Sequence, residues 1–179
     1  MAGFEEKSYK AFEMFHKQWA LVTAGDMGRF NSCTIGWGSI GTLWAGVIKG
    51  GAIVTVYLYP TRYTCDFLIE NETFAVSFFP ESCKKALGVM GSCSGRDVDK
   101  VAASGLTPIP AGDTVGYEEA ELTFVCRKIY QHQLAKEDIA ADVQEYYESN
   151  ERVFPKDENG EWQPHWVFIG EVTEVIEKQ

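Results

Sequence analysis

Asn31-Ser32-Cys33-Thr34-Ile35-Gly36-Trp37-Gly38 opens the stretch that decides the fold. It continues through Gly41-Thr42-Leu43-Trp44-Ala45-Gly46 to Ala52-Ile53-Val54-Thr55-Val56-Tyr57-Leu58-Tyr59 and the turn Pro60-Thr61-Arg62-Tyr63-Thr64. Residues 31–37 read as a strand. Residues 52–59 alternate, with Val54, Val56 and Leu58 on one face and Thr55, Tyr57 and Tyr59 on the other. Pro60 ends that strand, and a helix carrying Cys65, Phe67, Leu68 and Ile69 starts at Thr61 or just after it. Small hydroxyl, amide and glycine positions thus sit beside a tryptophan and lead into a turn with an arginine and two threonines. That combination suits a flat aromatic ligand with a phosphate tail.

Outward from this stretch, residues 1–18 read as a helical or extended lead-in, with Tyr9, Phe12 and Phe15 at helical spacing. Residues 19–24 read as a strand, followed by a turn at Gly25-Asp26-Met27-Gly28. Residues 74–79 form another strand, and two short helices follow over 82–90 and 95–103. Ser94 with Asp97 three residues later makes a capping-box pattern, and Gly105 is a stop signal. Residues 121–133 are β-like and 139–148 helical. Residues 151–164 are polar and turn-rich, and 166–176 close the chain as a strand. Strands outnumber helices and are mostly joined by turns, which predicts a mainly β fold, an antiparallel barrel with flanking helices. No repeat or linker divides residues 1–179, so one domain is expected.

Composition narrows the function classes. The 179 residues carry a formal net charge of −10 and no Lys/Arg cluster, which argues against nucleic acid and anionic membrane as partners. Neither a signal-peptide core nor a run of about 18 apolar residues is visible. The five cysteines, Cys33, Cys65, Cys83, Cys93 and Cys126, include no C-x-x-C pair. Reduced thiols in a cytoplasm are the expectation, with neither a disulfide framework nor a metal site.

Three motifs bear on chemistry. Gly36-Trp37-Gly38-Ser39-Ile40-Gly41 spells G-x-G-x-x-G, but no helix follows and no acidic residue stands about 20 positions on, so a dinucleotide fingerprint is rejected. A glycine-rich strand with close backbone approach is the better reading. Residues 59–64 form a strand–turn–helix junction whose free N–H groups, Arg62 and threonines suit a phosphate. Taken alone, a capped helix with a surface arginine comes first. Ser94-Gly95-Arg96-Asp97-Val98-Asp99-Lys100 is a second helix start, in which Asp97 is explained by capping and Arg96 and Lys100 are freer for a ligand. His165 stands at the mouth of the last strand, while His16 and His132 read as ordinary surface or structural histidines. No G-x-S-x-G elbow or papain-like cysteine context supports nucleophilic hydrolysis.

Taken together, these motifs resemble the flavin reductase-like, FMN-binding split-barrel family, and within it the flavoredoxin-type branch. The carrying segments are 31–38, Val-Thr-Val-Tyr at 54–57, Arg-Tyr-Thr-Cys-Asp-Phe-Leu at 62–68, 94–100, and His-Trp-Val-Phe-Ile-Gly-Glu-Val at 165–172. The resemblance implies a Greek-key split β-barrel, homodimeric, with FMN in a cleft near the subunit interface. By matching position it implies that Asn31, Cys33, Thr34, Ile35, Gly36 and Trp37 lie along the flavin ring and ribityl chain, with Thr55 and Tyr57 in the same cleft. Arg62 and Thr64 would hold the phosphate. Ser94, Arg96 and Lys100 would close over the cofactor, and His165 and Phe168 would sit near the ring. Cys33 stands where the family leads one to expect a residue such as methionine.

The resemblance further implies an FMN-dependent oxidoreductase fed by NADH or NADPH and delivering electrons to free flavin, an iron complex or a protein partner. No side chain need act as a catalytic nucleophile, because the cofactor carries the redox chemistry. A flavoredoxin-like electron carrier without its own nicotinamide site is the alternative. A binding module that has lost the flavin is a third reading, opposed by intact Asn31, Thr34, Trp37, Arg62 and Thr64.

Overall fold

The computed structural model describes residue 4 and residues 7–178. Among these residues nine strands form: β1 (Ala20–Asp26), β2 (Arg29–Ile35), β3 (Gly38–Thr42), β4 (Ala52–Leu58), β5 (Thr73–Phe78), β6 (Pro108–Ala111), β7 (Thr114–Tyr117), β8 (Leu122–Gln133) and β9 (Trp166–Glu177). The helices are α1 (Ala11–Glu13), continued by a π-helical turn over Met14–Gln18, then α2 (Tyr63–Glu70), α3 (Lys84–Ser92), α4 (Lys100–Ser104) and α5 (Ala141–Ser149).

Seven strands make one antiparallel sheet in the order β2-β1-β5-β8-β9-β4-β3. Its two edge strands, β2 and β3, are consecutive in the chain and are joined only by Gly36 and Trp37. A flat sheet would hold its outer strands six spacings apart, about 29 Å. Three residue steps reach at most about 11 Å. The sheet therefore rolls up into a barrel, split along a β2/β3 seam. Non-sequential neighbours such as β1·β5 and β9·β4 make the connectivity Greek-key in type rather than a simple meander.

Alternation places the core. In β1, Ala20, Val22 and Ala24 enter the barrel interior with Val54, Val56, Leu58, Phe74, Val76, Phe124 and Phe168. Leu21 faces outward, beneath α3 and β7, where it meets Phe79, Leu87, Met90, Leu106 and Tyr117. Both faces of β1 are thus covered, as its unbroken burial requires. Three hydroxyls satisfy one another in this buried layer: Thr23 Oγ1 lies 2.8 Å from Ser32 Oγ, which lies 2.6 Å from Tyr117 Oη. Gly38 is required by close approach, since a Cβ there would collide with the Phe15 ring packed under the seam.

The structure corrects or adds to what the sequence predicts at four points. The helix expected over 95–103 begins only at Lys100, and its N-cap is Asp99, whose carboxylate accepts the Ala102 N–H at 3.0 Å. Ser94 and Asp97 belong to the preceding turn, so no capping box forms. Gly105 does stop the helix, with φ +74°. The β6–β7 hairpin had no counterpart in the sequence reading, because Pro108 and Pro110 demote a strand there. In β4 the face carrying Thr55 is also buried, so its alternation does not mark a solvent side. The aromatic spacing of the lead-in is not one face either. Phe15 is buried and Phe12 is exposed, while Tyr9 precedes the helix and residues 1–3, 5 and 6 lie outside the described residues.

Candidate functional site

The seam opens into a groove. One part, about 290 Å³, is lined by Cys33 to Trp37 of the β2/β3 link, Tyr57 to Tyr59 at the end of β4, Arg62, and Tyr146, Val153, Phe154 and His165. A second part, about 140 Å³, shares Cys33 and Arg62 and adds residues 61–64, Met90 to Ser94 and Lys100. Each part has its own chemistry.

The smaller part is built for an anion. Pro60 and the extended Arg62 stop β4 and set the N-terminus of α2. Cys65 N–H closes onto Arg62 O at 2.8 Å, which leaves the first-turn N–H groups of Tyr63 and Thr64 without a main-chain partner. The helix end carries partial positive charge. The Arg62 guanidinium is exposed and donates to Gly91 O at 3.1 Å, tying the turn to the end of α3. Lys100 is only 4% exposed, and no hydrogen bond or ion pair of its ammonium is found among the described residues. Burial lowers its pKa, Arg62 adds to the effect, and the Cys33 and Cys93 thiols oppose it. A largely buried cation that opens into the groove without a counter-charge is partly desolvated, which disfavours its charged form. A phosphate group in this pocket would supply the missing charge.

The larger part is mainly aromatic, with Arg62 at its border with the anion end. Residues 150–164 fold back over the barrel mouth as a wall, stitched by the Tyr59 hydroxyl, which donates to Pro155 O at 2.9 Å and accepts from Gln163 N–H at 3.2 Å. Tyr59, Tyr147, Phe154 and Trp162 form a separate buried cluster here. His165 is enclosed by rings: Trp37 at 4.6 Å, Tyr59 at 5.3 Å, Tyr147 at 5.5 Å and Phe154 at 5.7 Å between centroids. Its Nδ1 lies 2.5 Å from the Tyr147 hydroxyl. Burial, with the Arg62 charge acting in the same direction, lowers the His165 pKa to about 4, so the imidazole is neutral at pH 7. Trp37 is half-exposed at the rim. Such a slot suits a planar conjugated ring.

Of the residues singled out from sequence, Cys33, Thr34, Ile35, Gly36, Trp37, Tyr57, Arg62, Thr64, Ser94, Lys100 and His165 line this one groove. Four stand apart. Phe168 is fully buried in the barrel interior, and Thr55 is buried without lining the groove. Asn31 lies behind the wall, its Oδ1 accepting from Thr64 Oγ1 at 2.8 Å, and Gly95 allows the 94–99 turn to rest on its amide. Arg96 is committed to Asp66 at 2.5 Å and stacks over Tyr63 at 4.4 Å. With Asn31 it faces a larger hollow of about 830 Å³ that also reaches Lys100 but contains none of the aromatic slot. Tyr59, Tyr146 and Phe154 were missed. Phe154 and Trp162, two large aromatics in an otherwise polar segment, were the available signal.

Among the described residues no cluster of potential metal ligands occurs, and no helix is long and apolar enough to cross a membrane.

Solved structures share the fold. The flavoredoxin of Methanosarcina acetivorans superposes with a TM-score of 0.65 at 19% identity, over 90% of this chain and 69% of that one. The flavoredoxin of Desulfovibrio vulgaris (Miyazaki F) gives 0.64 at 22%, over 97% and 76%. An FMN-binding protein from Thermus thermophilus, with bound 1-cyclohex-2-enone, gives 0.63 at 21%, over 99% and 75%. No curated protein sequence matches. The flavin reductase-like domain model, however, matches residues 12–179, and the chain therefore belongs to the flavin reductase-like domain family.

Proposed function

We propose that this protein binds FMN in the seam groove and works as an FMN-dependent oxidoreductase, accepting electrons from NADH or NADPH and passing them to free flavin, an iron complex or a protein. The observation that carries this reading is the largely buried Lys100, whose ammonium has no counter-charge among the described residues, beside Arg62 at one end of a groove that is otherwise mainly aromatic. Bound FMN would supply exchange of electrons and of a proton or hydride at its ring. The residues of the chain do the rest. Lys100, Arg62 and the first turn of α2 hold the phosphate by charge-assisted hydrogen bonds. Thr34 is held in place as its hydroxyl donates to Leu87 O at 2.6 Å, and Gly36 leaves the link main chain open to close approach. Trp37, Tyr59 and Phe154 exclude water from one side, and the neutral His165 ring adds a polar atom without adding charge.

A second reading has its own support. Apart from Arg62, no lysine or arginine lines the aromatic part, so little there would grip the phosphates of a nicotinamide dinucleotide. This favours an electron carrier reduced by another protein, in the manner the name flavoredoxin suggests for two of the similar structures. A homodimer is part of both readings. Phe12 and Val47, 95% and 88% exposed, are side chains such an association could cover.

The test is an absorbance spectrum of the purified protein after addition of FMN and removal of the excess, followed by anaerobic NADH and NADPH. Retained flavin bleached within seconds supports the reductase. Retained flavin untouched by either nucleotide supports the carrier. A protein that keeps no flavin overturns both.

A further inference from the structure

We propose that Tyr147 is a positioning residue that holds His165 in one tautomer, with the proton on Nε2, so that the groove presents a fixed neutral N–H donor at this point. The inference rests on the reading of the groove as the ligand site. It concerns a residue of α5, an element that the sequence motifs did not implicate.

The argument starts from what each ring can do. A neutral imidazole has one N–H and one bare nitrogen, and the partner of one nitrogen decides the role of the other. Tyr147 Oη lies 2.5 Å from His165 Nδ1 and also faces the His165 main-chain N–H, which occupies the phenol oxygen as an acceptor and leaves its hydrogen to be donated; the imidazole has no other hydrogen-bond partner among the described residues. Were Nδ1 to carry the proton and donate, the buried phenol hydrogen would be left without an acceptor. Leaving a buried donor unsatisfied is the costly arrangement, whereas a phenol donating to bare Nδ1 satisfies both groups. Burial pushes the Tyr147 pKa up to about 12, so the phenol keeps its proton to donate. The depressed His165 pKa keeps the imidazole neutral, with one proton to place. Nε2 is the nitrogen left for the groove that His165 lines.

Packing removes the alternatives. Tyr147 is stacked on Trp162 at 4.7 Å and 21°, and meets Phe154 at 4.5 Å. Lys136 covers the Trp162 ring at 4.4 Å. The imidazole is walled by Trp37, Tyr59 and Phe154, so a ring flip that exchanged its nitrogens would have to displace several aromatic neighbours. The chemical consequence is selectivity. An acceptor atom of the ligand, a carbonyl oxygen or an unprotonated ring nitrogen, is favoured opposite His165, and a donor N–H is disfavoured.

The experiment is a long-range ¹H–¹⁵N spectrum of the full chain with labelled histidine at pH 7, first flavin-free and then with FMN. His165 is identified among the three histidines by loss of its signals in His165→Gln. The expected result is a bare Nδ1 and a protonated Nε2 in the flavin-free protein. Tyr147→Phe keeps the ring stack and removes only the hydroxyl. It is expected to shift the tautomer ratio by about tenfold toward protonated Nδ1, the scale of one buried hydrogen bond. A protonated Nδ1 in the wild type overturns the proposal, as does an unchanged ratio in Tyr147→Phe, which would show that Tyr147 acts through packing alone. Should that variant fail to fold, the wild-type spectrum decides. Flavin retention is read separately, so failure of the ligand assignment is distinguishable from failure of this one.

Discussion

The two ends of the groove solve opposite problems. At the anion end, two cations from different elements converge, and one of them, Lys100, is buried with no counter-charge. At the ring end, aromatic and imidazole rings pack together, and the charge that reaches them is that of Arg62, shared with the anion end. The first region is incomplete without a ligand, while the second is complete without one. Affinity for the tail should therefore depend on Coulombic terms, whereas shape and stability of the ring slot should depend on packing.

The largest effect that would break this contrast is on stability at the ring end. Phe154 is buried and touches Trp37, Tyr59, Tyr146, Tyr147 and His165. Phe154→Ala is expected to lower unfolding stability by about 4 kcal/mol, as for other buried phenylalanines, measured by urea unfolding. A loss under about 1 kcal/mol would mean that the wall is not part of the cooperative fold.

Next comes acid. His165 titrates near pH 4 when folded and near its ordinary 6.5 when unfolded. Between those values the unfolded chain binds a proton that the folded chain does not. Stability is therefore full above about pH 6.5 and declines as pH falls toward 4, by roughly 3 kcal/mol in total, with no further change from this group below that. His165→Gln should flatten that part of the urea-midpoint profile, and an unchanged slope would assign it to other groups.

At the anion end, Lys100→Ala should weaken FMN binding by about 10- to 100-fold, the worth of a charged hydrogen bond, while leaving riboflavin, which lacks the phosphate, nearly untouched. Titration calorimetry with both ligands separates the two. Equal losses for both would place Lys100 against the ring rather than the phosphate. The smallest effect is at the cap of α4, which carries Lys100. Asp99→Ala should cost about 1 kcal/mol of stability through loss of the 3.0 Å cap to Ala102.

The same contrast explains what could be read in advance. The barrel strands were legible because alternation and glycine-bounded runs are local, and the link at Gly36-Trp37 and the turn at Pro60-Thr61-Arg62 mark themselves by residue type. The ring slot was not. Phe154, Trp162 and Tyr147 lie in segments that read as polar loop and surface helix, and they meet only because residues 150–164 fold back onto β4. Phe168 and Thr55 fell the other way: they match the right motif, but their strands turn them away from the groove. Asp99 displaced Ser94 as the cap because helix propagation begins at the buried Lys100, a choice that only tertiary packing makes.

The β2/β3 seam has a consequence for how the molecule opens. Every other neighbouring pair of strands in the large sheet is tied by a ladder of main-chain hydrogen bonds; these two edges are tied by a short covalent link. Separating them breaks no ladder, so the barrel's least costly partial opening runs along this line, and amide exchange should report it as a low-energy fluctuation well below global unfolding. A molecule reaching from Lys100 to His165 would lie against the end of β2, the link at Gly36 and Trp37, and the end of β4. It would act as a non-covalent clasp at the mouth of the seam, slowing exchange at the ends of β2 and β4, which line the groove.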